Sequence, residues 1–188
     1  LESLVVRSLI EKSSATFTQQ PVVMEYVTDR FIEQVYEEIQ NGKLSLFNSH
    51  AIIKSQAEDY VRDSQILFIV KRILNKLLAV YRNQTRIEEK VTQILSSLRQ
   101  QNFGKYPSQN QPTPGYAAGN ILNLLCQLQP KLSHYDFSEL TVWQAYLRTI
   151  HLHQFNFKNA DLAKSVFTET FGSILSVAFS PDGEILAT

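Results

Sequence analysis

Most of the chain before residue 130 carries apolar residues at helical spacing. The segment that begins at Pro21 repeats them every three or four positions and stops at Gly42, which predicts a helix with proline in its first turn and glycine after its end. Between residues 48 and 101 the same period predicts three amphipathic helices that pack together. Thr85 and Glu88 have the spacing of a capping box at the start of the third.

The segments around these helices have other patterns. Residues 9–12 and 15–20 are two short β-rich stretches and predict a hairpin. Residues 102–114 contain three prolines and predict a loop, which is followed by a last helix over 115–128. Gly115 and Gly119 stand four positions apart in that helix, and this spacing favours close helix packing over a membrane dimer motif.

A period of five replaces the helical period after residue 130. Seven consecutive apolar residues are five positions apart: Phe137, Val142, Leu147, Leu152, Phe157, Leu162 and Phe167. This period predicts a short solenoid that wraps a narrow core. Leu147 and Leu152 should be buried, whereas Trp143 should point outward and is a candidate residue for interaction with the neighbouring helix or a partner.

The last stretch, residues 174–188, alternates apolar and small residues and turns at a Pro-Asp-Gly sequence, so it predicts a hairpin. The chain opens with Leu1 and stops inside this predicted strand. We therefore expect it to be a fragment of a longer protein.

Composition excludes several classes of protein. The 188 residues include 18 Lys plus Arg and 18 Asp plus Glu, so the formal net charge of zero argues against binding to a polyanion through long-range electrostatics. The single cysteine excludes an internal disulfide. The sequence contains no apolar run of about 18 residues, and we expect a cytoplasmic protein without a membrane span.

No catalytic constellation emerges from the sequence. The six glycines never form a phosphate-binding loop, so we expect no enzymatic activity and no cofactor in this segment. Cys126 lies in an apolar stretch and should be buried and inert. His151 and His153 lack a third ligand at useful spacing, which argues against a metal site. Two acidic pairs are expected to remain hydrated on charged helix faces: Glu37-Glu38 and Glu88-Glu89.

Three segments resemble known families. Residues 137–167 resemble the pentapeptide-repeat family, whose members form a four-sided β-helix. Residues 173–188, with the sequence SILSVAFSPDGEILAT, resemble the first two strands of a WD-repeat propeller blade. Residues 1–40 resemble the closing half of the winged-helix domain in NB-ARC signal-transduction ATPases. In this order, they resemble the middle of large bacterial proteins, above all cyanobacterial ones, that join an NB-ARC ATPase to a WD-repeat propeller.

The resemblance implies an α+β fold class. The N-terminal two-thirds would be helical with a short winged-helix hairpin, followed by a short pentapeptide-repeat β-helix and the first strands of a propeller blade. The implied domains are the end of a winged helix, a helical domain, a pentapeptide-repeat segment and a truncated blade: residues 1–42, 43–129, 130–170 and 171–188.

The resemblance also suggests one nucleotide-sensing position. In related ATPases a histidine of a Met-His-Asp motif senses the phosphate of the bound nucleotide, and Gln20 occupies the matching place here. An amide can donate a hydrogen bond but carries no charge, so Gln20 is a weak candidate sensor, with a plain helix-entry role as the alternative. ATP or ADP would be bound only by the full-length parent.

We expect a non-catalytic connector between a nucleotide-switch ATPase module and a ligand-sensing propeller. Its partners would be proteins that bind the WD-repeat region and the upstream NB-ARC domain. A passive structural spacer is an equally good alternative, because sequence does not separate the two. Nucleic-acid binding through the winged helix is a further alternative, weakened by the lack of a cluster of aromatic and basic residues, and DNA mimicry is the weakest.

Overall fold

Helices make up most of the described part of the chain. The computed structural model describes residues 10–12, 17–103, 115–128, 132–148, 152–167, 178–179 and 186–187. The helices are α1 (Pro21–Asn41), α2 (Leu46–Ser49), α3 (Asp59–Gln65), α4 (Lys71–Tyr81), α5 (Gln84–Phe103) and α6 (Ala117–Leu128). A π-helical segment, Ile66–Val70, joins α3 to α4, so these three elements form one continuous helix.

Helix α1 follows the sequence prediction at both ends. The chain enters it from Gln20 in an extended conformation, with Pro21 in the first turn. Gly42 ends it in the left-handed region, at φ 71°, where glycine avoids the steric cost of a side chain. Its N–H donates to the carbonyl oxygen of Glu38 over 2.8 Å. A short antiparallel hairpin of β1 (Ile10–Lys12) and β2 (Phe17–Gln19) precedes α1.

The region between α1 and α6 differs from the prediction in three places. The first two of the three predicted helices form one continuous helix, α3 to α4. Residues 51–58 are not helical, although Ile52 and Ile53 are buried there. Helix α5 begins directly after Asn83. The Oδ1 of Asn83 accepts a hydrogen bond from the N–H of Thr85 over 2.9 Å. Asn83 therefore provides the cap, and the expected capping box of Thr85 with Glu88 is wrong.

Helix α6 lies at the centre of the packing. It contacts α2, α4 and α5, and only Cys126 and Gln127 among its residues are not fully buried. Helix α1 packs against α2, α4 and α5 through its C-terminal half, where Ile32, Val35 and Ile39 are buried. The helical part of the protein is thus built around an apolar helix that also reaches the last third of the chain.

After α6 the chain forms two stacked layers, residues 132–148 and 152–167, which we call the coil stack. Strand β3 (Leu132–Ser133) pairs in parallel with β4 (Leu152–His153), and isolated parallel bridges follow at three further positions. The bridged pairs are Asp136 with Asn156, Thr141 with Asp161, and Tyr146 with Val166. Each residue of the first layer therefore lies beside the residue twenty positions later.

The five-residue period sets the turns and the core of the coil stack. Residues with left-handed backbone recur at this spacing: His134, Glu139, Gln144, Gln154, Asn159 and Lys164. Phe137, Val142 and Leu147 point inward and are buried. The predicted burial of Leu147 is confirmed. The prediction for Leu152 concerns a side chain outside those that the structure describes.

The predicted α+β class is wrong. The described chain is mainly helical, and its strands are only two or three residues long. Two layers joined by a two-residue pair and single bridges do not make the sheet sides of a β-helix. No propeller blade is seen either: the described residues of the last segment are β5 (Ala178–Phe179) and β6 (Leu186–Ala187), an antiparallel pair, whereas a blade has four strands. The implied domain boundaries remain a prediction.

Candidate functional site

The site best defined in this structure is the junction where α6 binds both a loop of the helical part and the coil stack. Asn120, on α6, is fully buried and uses its whole carboxamide group. Its Nδ2 donates to the carbonyl oxygens of Phe47 and His50, each over 2.8 Å, and its Oδ1 accepts from the N–H of Ile52 over 3.0 Å. These bonds fix the irregular loop after α2.

Asn123, one turn further along α6, makes the matching connection to the coil stack. Its Nδ2 donates to the carbonyl oxygen of Gln144 over 2.8 Å, and its Oδ1 accepts from the N–H of Tyr146 over 2.9 Å. Asn123 is 2% exposed, so both groups would be unpaired in an apolar interior without these bonds. The two asparagines place the loop and the coil stack on one helix.

Ser55 joins the same loop region to both layers of the coil stack. Its backbone N–H and its hydroxyl lie 2.7 Å and 3.1 Å from Oε1 of Gln144, and the hydroxyl also bonds to the carbonyl oxygen of Lys164. Gln144 and Lys164 are the left-handed residues of one corner in successive layers. Ser55 therefore connects this corner of the coil stack to the helical part through hydrogen bonds.

Arg62, on α3, makes a second contact between the helical part and the coil stack. Its guanidinium group lies 3.9 Å from the ring centroid of Tyr146 in the coil stack and donates to the carbonyl oxygen of Ala57 over 2.9 Å. The charge is paired with Asp59 at 2.5 Å, and the hydrogen bond and charge of Arg62 lower the pKa of that carboxyl group. Arg148 of the coil stack lies 3.9 Å from the same carboxylate.

The backbones of Gly119 and Trp143 approach each other closely at the junction. A Cβ atom on Gly119 would lie 1.9 Å from the carbonyl oxygen of Trp143, so only glycine fits. Close packing is confirmed at Gly119, but the neighbour is the coil stack and not another helix. The Trp143 ring is partly exposed, lies edge-on to Tyr116 at 5.6 Å, and donates from Nε1 to Asp161 over 2.7 Å. Its role as an interaction residue stays a prediction.

An exposed apolar surface covers the N-terminal half of α1. Val22 is 75% exposed, Tyr26 65%, Met24 52% and Val27 47%. Gln20 lies just before this surface, and its side chain makes no capping bond to the helix. The structure places Gln20 at the start of α1, and its role as a nucleotide sensor stays a prediction.

Several other candidate residues can now be placed. Cys126 is largely buried, and burial raises the pKa of its thiol to about 12, which suits an inert side chain. The side chains of His151 and His153 lie outside those described. Within the described ranges, no three metal-ligating side chains come together, and no helix has the length and apolarity needed to cross a membrane.

Glu38 is a buried structural residue that sequence reasoning missed. Its carboxylate accepts hydrogen bonds from the N–H groups of Ser45, Leu46 and Phe47, at 2.8–2.9 Å. It therefore satisfies the free amides at the start of α2. The expectation that it stays hydrated beside Glu37 is wrong.

Comparisons with known proteins connect the chain to WD-repeat proteins. No protein-family model matches it, and neither does any solved structure. A Nostoc sp. protein named an uncharacterized WD repeat-containing protein is 46% identical over 221 residues, an alignment that covers 100% of this chain and 17% of the relative. A second Nostoc sp. protein of the same description is 43% identical over 74 residues, or 39% of this chain and 5% of that relative. The chain thus spans about a sixth of the first relative's length, and both names support a WD-repeat protein of cyanobacterial type.

Proposed function

We propose that the chain is a non-catalytic connector that mediates protein-protein interaction. In the proposed arrangement it links a nucleotide-switch ATPase module to a WD-repeat propeller. The names of the relatives favour a protein-interaction role, and the order of sequence resemblances along the chain favours the connector. ATP or ADP would belong to the longer protein, and no catalytic residue is assigned to this chain.

The double attachment of α6 is the observation that carries this proposal. A connector has to hold its two ends in a fixed relation, so that a displacement at one end reaches the other. Asn120 fixes the helical part to α6, and Asn123 fixes the coil stack to the same helix one turn away. Two further contacts connect the helical part to the coil stack: the hydrogen bond of Ser55 to Gln144 and the cation–π contact of Arg62 with Tyr146.

The exposed apolar side chains of α1 support a docking role for this helix. Four large apolar side chains within two helical turns are unusual for a surface that remains in water. Val22 and Tyr26 lie one turn apart on this helix, and Tyr is enriched at protein interfaces. We assign this surface to contact with the module that precedes the connector.

Coincident unfolding of the two ends tests the proposal. Far-UV circular dichroism follows the helices, and fluorescence follows the coil stack, because Trp143 is the single tryptophan of the chain. In a urea titration we expect both signals to give the same midpoint and the same slope, as for one cooperative unit.

Separate transitions would contradict the connector proposal, because parts that unfold independently do not transmit a displacement. The double variant Trp143→Phe, Tyr135→Trp provides the matched control, since its single tryptophan reports a different position in the coil stack. The same midpoint from both fluorophores excludes a purely local change around Trp143.

A further inference from the structure

A groove of about 520 Å³ lies between α5 and the first corner of the coil stack. Its size falls in the range of small-ligand and peptide side-chain sites. Helix α5 contributes one wall, and residues 134–136 contribute the other. The residues that determine its chemistry are Glu88, Glu89, Thr92, Arg99, Tyr135 and Asp136.

Tyr135 gives the groove a fixed aromatic wall. Its ring centroid lies 6.5 Å from that of Phe137 and 5.7 Å from that of Phe155, so the core of the coil stack holds its orientation. Burial and the nearby negative charge of Glu88 raise the pKa of its phenol group to about 12. The hydroxyl group is therefore neutral at ordinary pH, and the partly exposed ring lines the groove.

The charges of the groove do not balance. Arg99 lies at one end, where its Nη2 donates to the carbonyl oxygen of Asp136 over 2.7 Å and lies 3.3 Å from the carboxylate of the same residue. Asp136 therefore neutralises the positive charge of Arg99. In the described part of the chain, no ion-pair partner reaches Glu88, which is partly buried, or Glu89, which is exposed. The groove is therefore left with negative charge beside an aromatic ring.

We propose that this groove binds an arginine side chain from a peptide segment of a protein partner. A guanidinium group can stack on the Tyr135 ring while it donates two hydrogen bonds to the Glu88 carboxylate. Thr92, one turn from Glu88 on α5, lines the same wall and offers a hydroxyl group to the peptide backbone. The site is separate from the α1 surface and does not depend on the connector role.

Titration with a short arginine peptide tests the proposal. The probe is acetyl-Gly-Arg-Gly-amide, added to the isotopically labelled chain and followed by NMR at the Tyr135 ring and at the backbone of Glu88. For a single side-chain contact we expect a dissociation constant on the order of 1 mM. The peptide with citrulline, which has the same shape without the charge, should bind at least about tenfold more weakly.

Variants separate the groove from non-specific attraction. Glu88→Gln keeps the size of the side chain and should weaken binding of the arginine peptide about tenfold. Glu25→Gln, on the exposed side of α1, should leave the dissociation constant unchanged. The proposal is overturned if resonances of Tyr135 do not shift at about 20 mM peptide. Equal binding of the citrulline peptide, or an unaltered constant in Glu88→Gln, would overturn it as well.

Discussion

At the scale of one residue, Gly119 determines how closely α6 approaches the coil stack. At most positions within a helix, replacement of glycine by alanine stabilises the protein by about 1 kcal/mol. Here the added methyl group would meet the carbonyl oxygen of Trp143 at 1.9 Å. We therefore predict that Gly119→Ala lowers the free energy of unfolding by about 3 kcal/mol, measured by urea denaturation.

A matched control lies on the same helix. Gln127 is exposed, so Gln127→Ala should change the free energy of unfolding by less than about 0.5 kcal/mol. A stabilised Gly119→Ala protein would mean that the coil stack moves away from α6 at little cost, and the close approach would then not be a fixed feature.

The same scale shows what sequence reveals about single residues. The four-residue spacing of Gly115 and Gly119 was enough to predict close packing at this helix. Trp143 was a candidate for contact with the neighbouring helix, but its approach to Gly119 was not predictable, since the two residues are distant along the chain. Glu37 and Glu38 are identical in type, and only the return of the chain at residues 45–47 separates a hydrated side chain from a buried one.

At the scale of elements, the two asparagines of α6 should act on different parts of the protein. Asn123→Ala removes both bonds to the coil stack, and we predict faster amide hydrogen exchange at Tyr146 by at least about tenfold. The amide of Ile52, whose acceptor is Asn120, should be affected much less.

Asn120→Ala provides the reciprocal experiment, with faster exchange at Ile52 and a smaller effect at Tyr146. Both measurements use native conditions, under which local opening dominates exchange. If either variant accelerates exchange equally at both amides, α6 does not hold two separately attached segments, and the asparagines contribute only to global stability.

Elements were predictable where their signal is local. The period of α1 and its proline and glycine boundaries are properties of neighbouring residues, and the structure has that helix. In residues 51–58, Ile52 and Ile53 are buried by tertiary contacts without forming a helix, which periodicity does not distinguish. After residue 132, the five-residue period correctly predicted the burial of Leu147. It did not predict the fold class correctly, because the two layers are joined only by a two-residue pair and single bridges.

At the scale of the whole molecule, two carboxylates with lowered pKa lie where the helical part meets the coil stack. On α3, Asp59 pairs with Arg62, which lies over Tyr146, and the hydrogen bond and charge of Arg62 lower the pKa of Asp59. In the coil stack, partial burial acts to raise the pKa of Asp136. The hydrogen bonds to Ser138 and the charge of Arg99 on α5 outweigh it, so that this pKa is also lowered.

These shifts predict the direction in which pH acts on the junction. A carboxyl group with a lowered pKa in the folded protein stabilises the fold above its unfolded pKa, close to 3.8 here. This contribution is lost as pH falls through the lower folded value.

We therefore predict that the double variant Asp59→Asn, Asp136→Asn is less stable than the parent at pH about 7, and that the difference in unfolding free energy shrinks toward zero at pH about 2. Urea titrations at a series of pH values measure it, with the exposed Asp63→Asn as the control. A difference that persists at the lowest pH would show that the two side chains act through packing, and the electrostatic account of this junction would then be wrong.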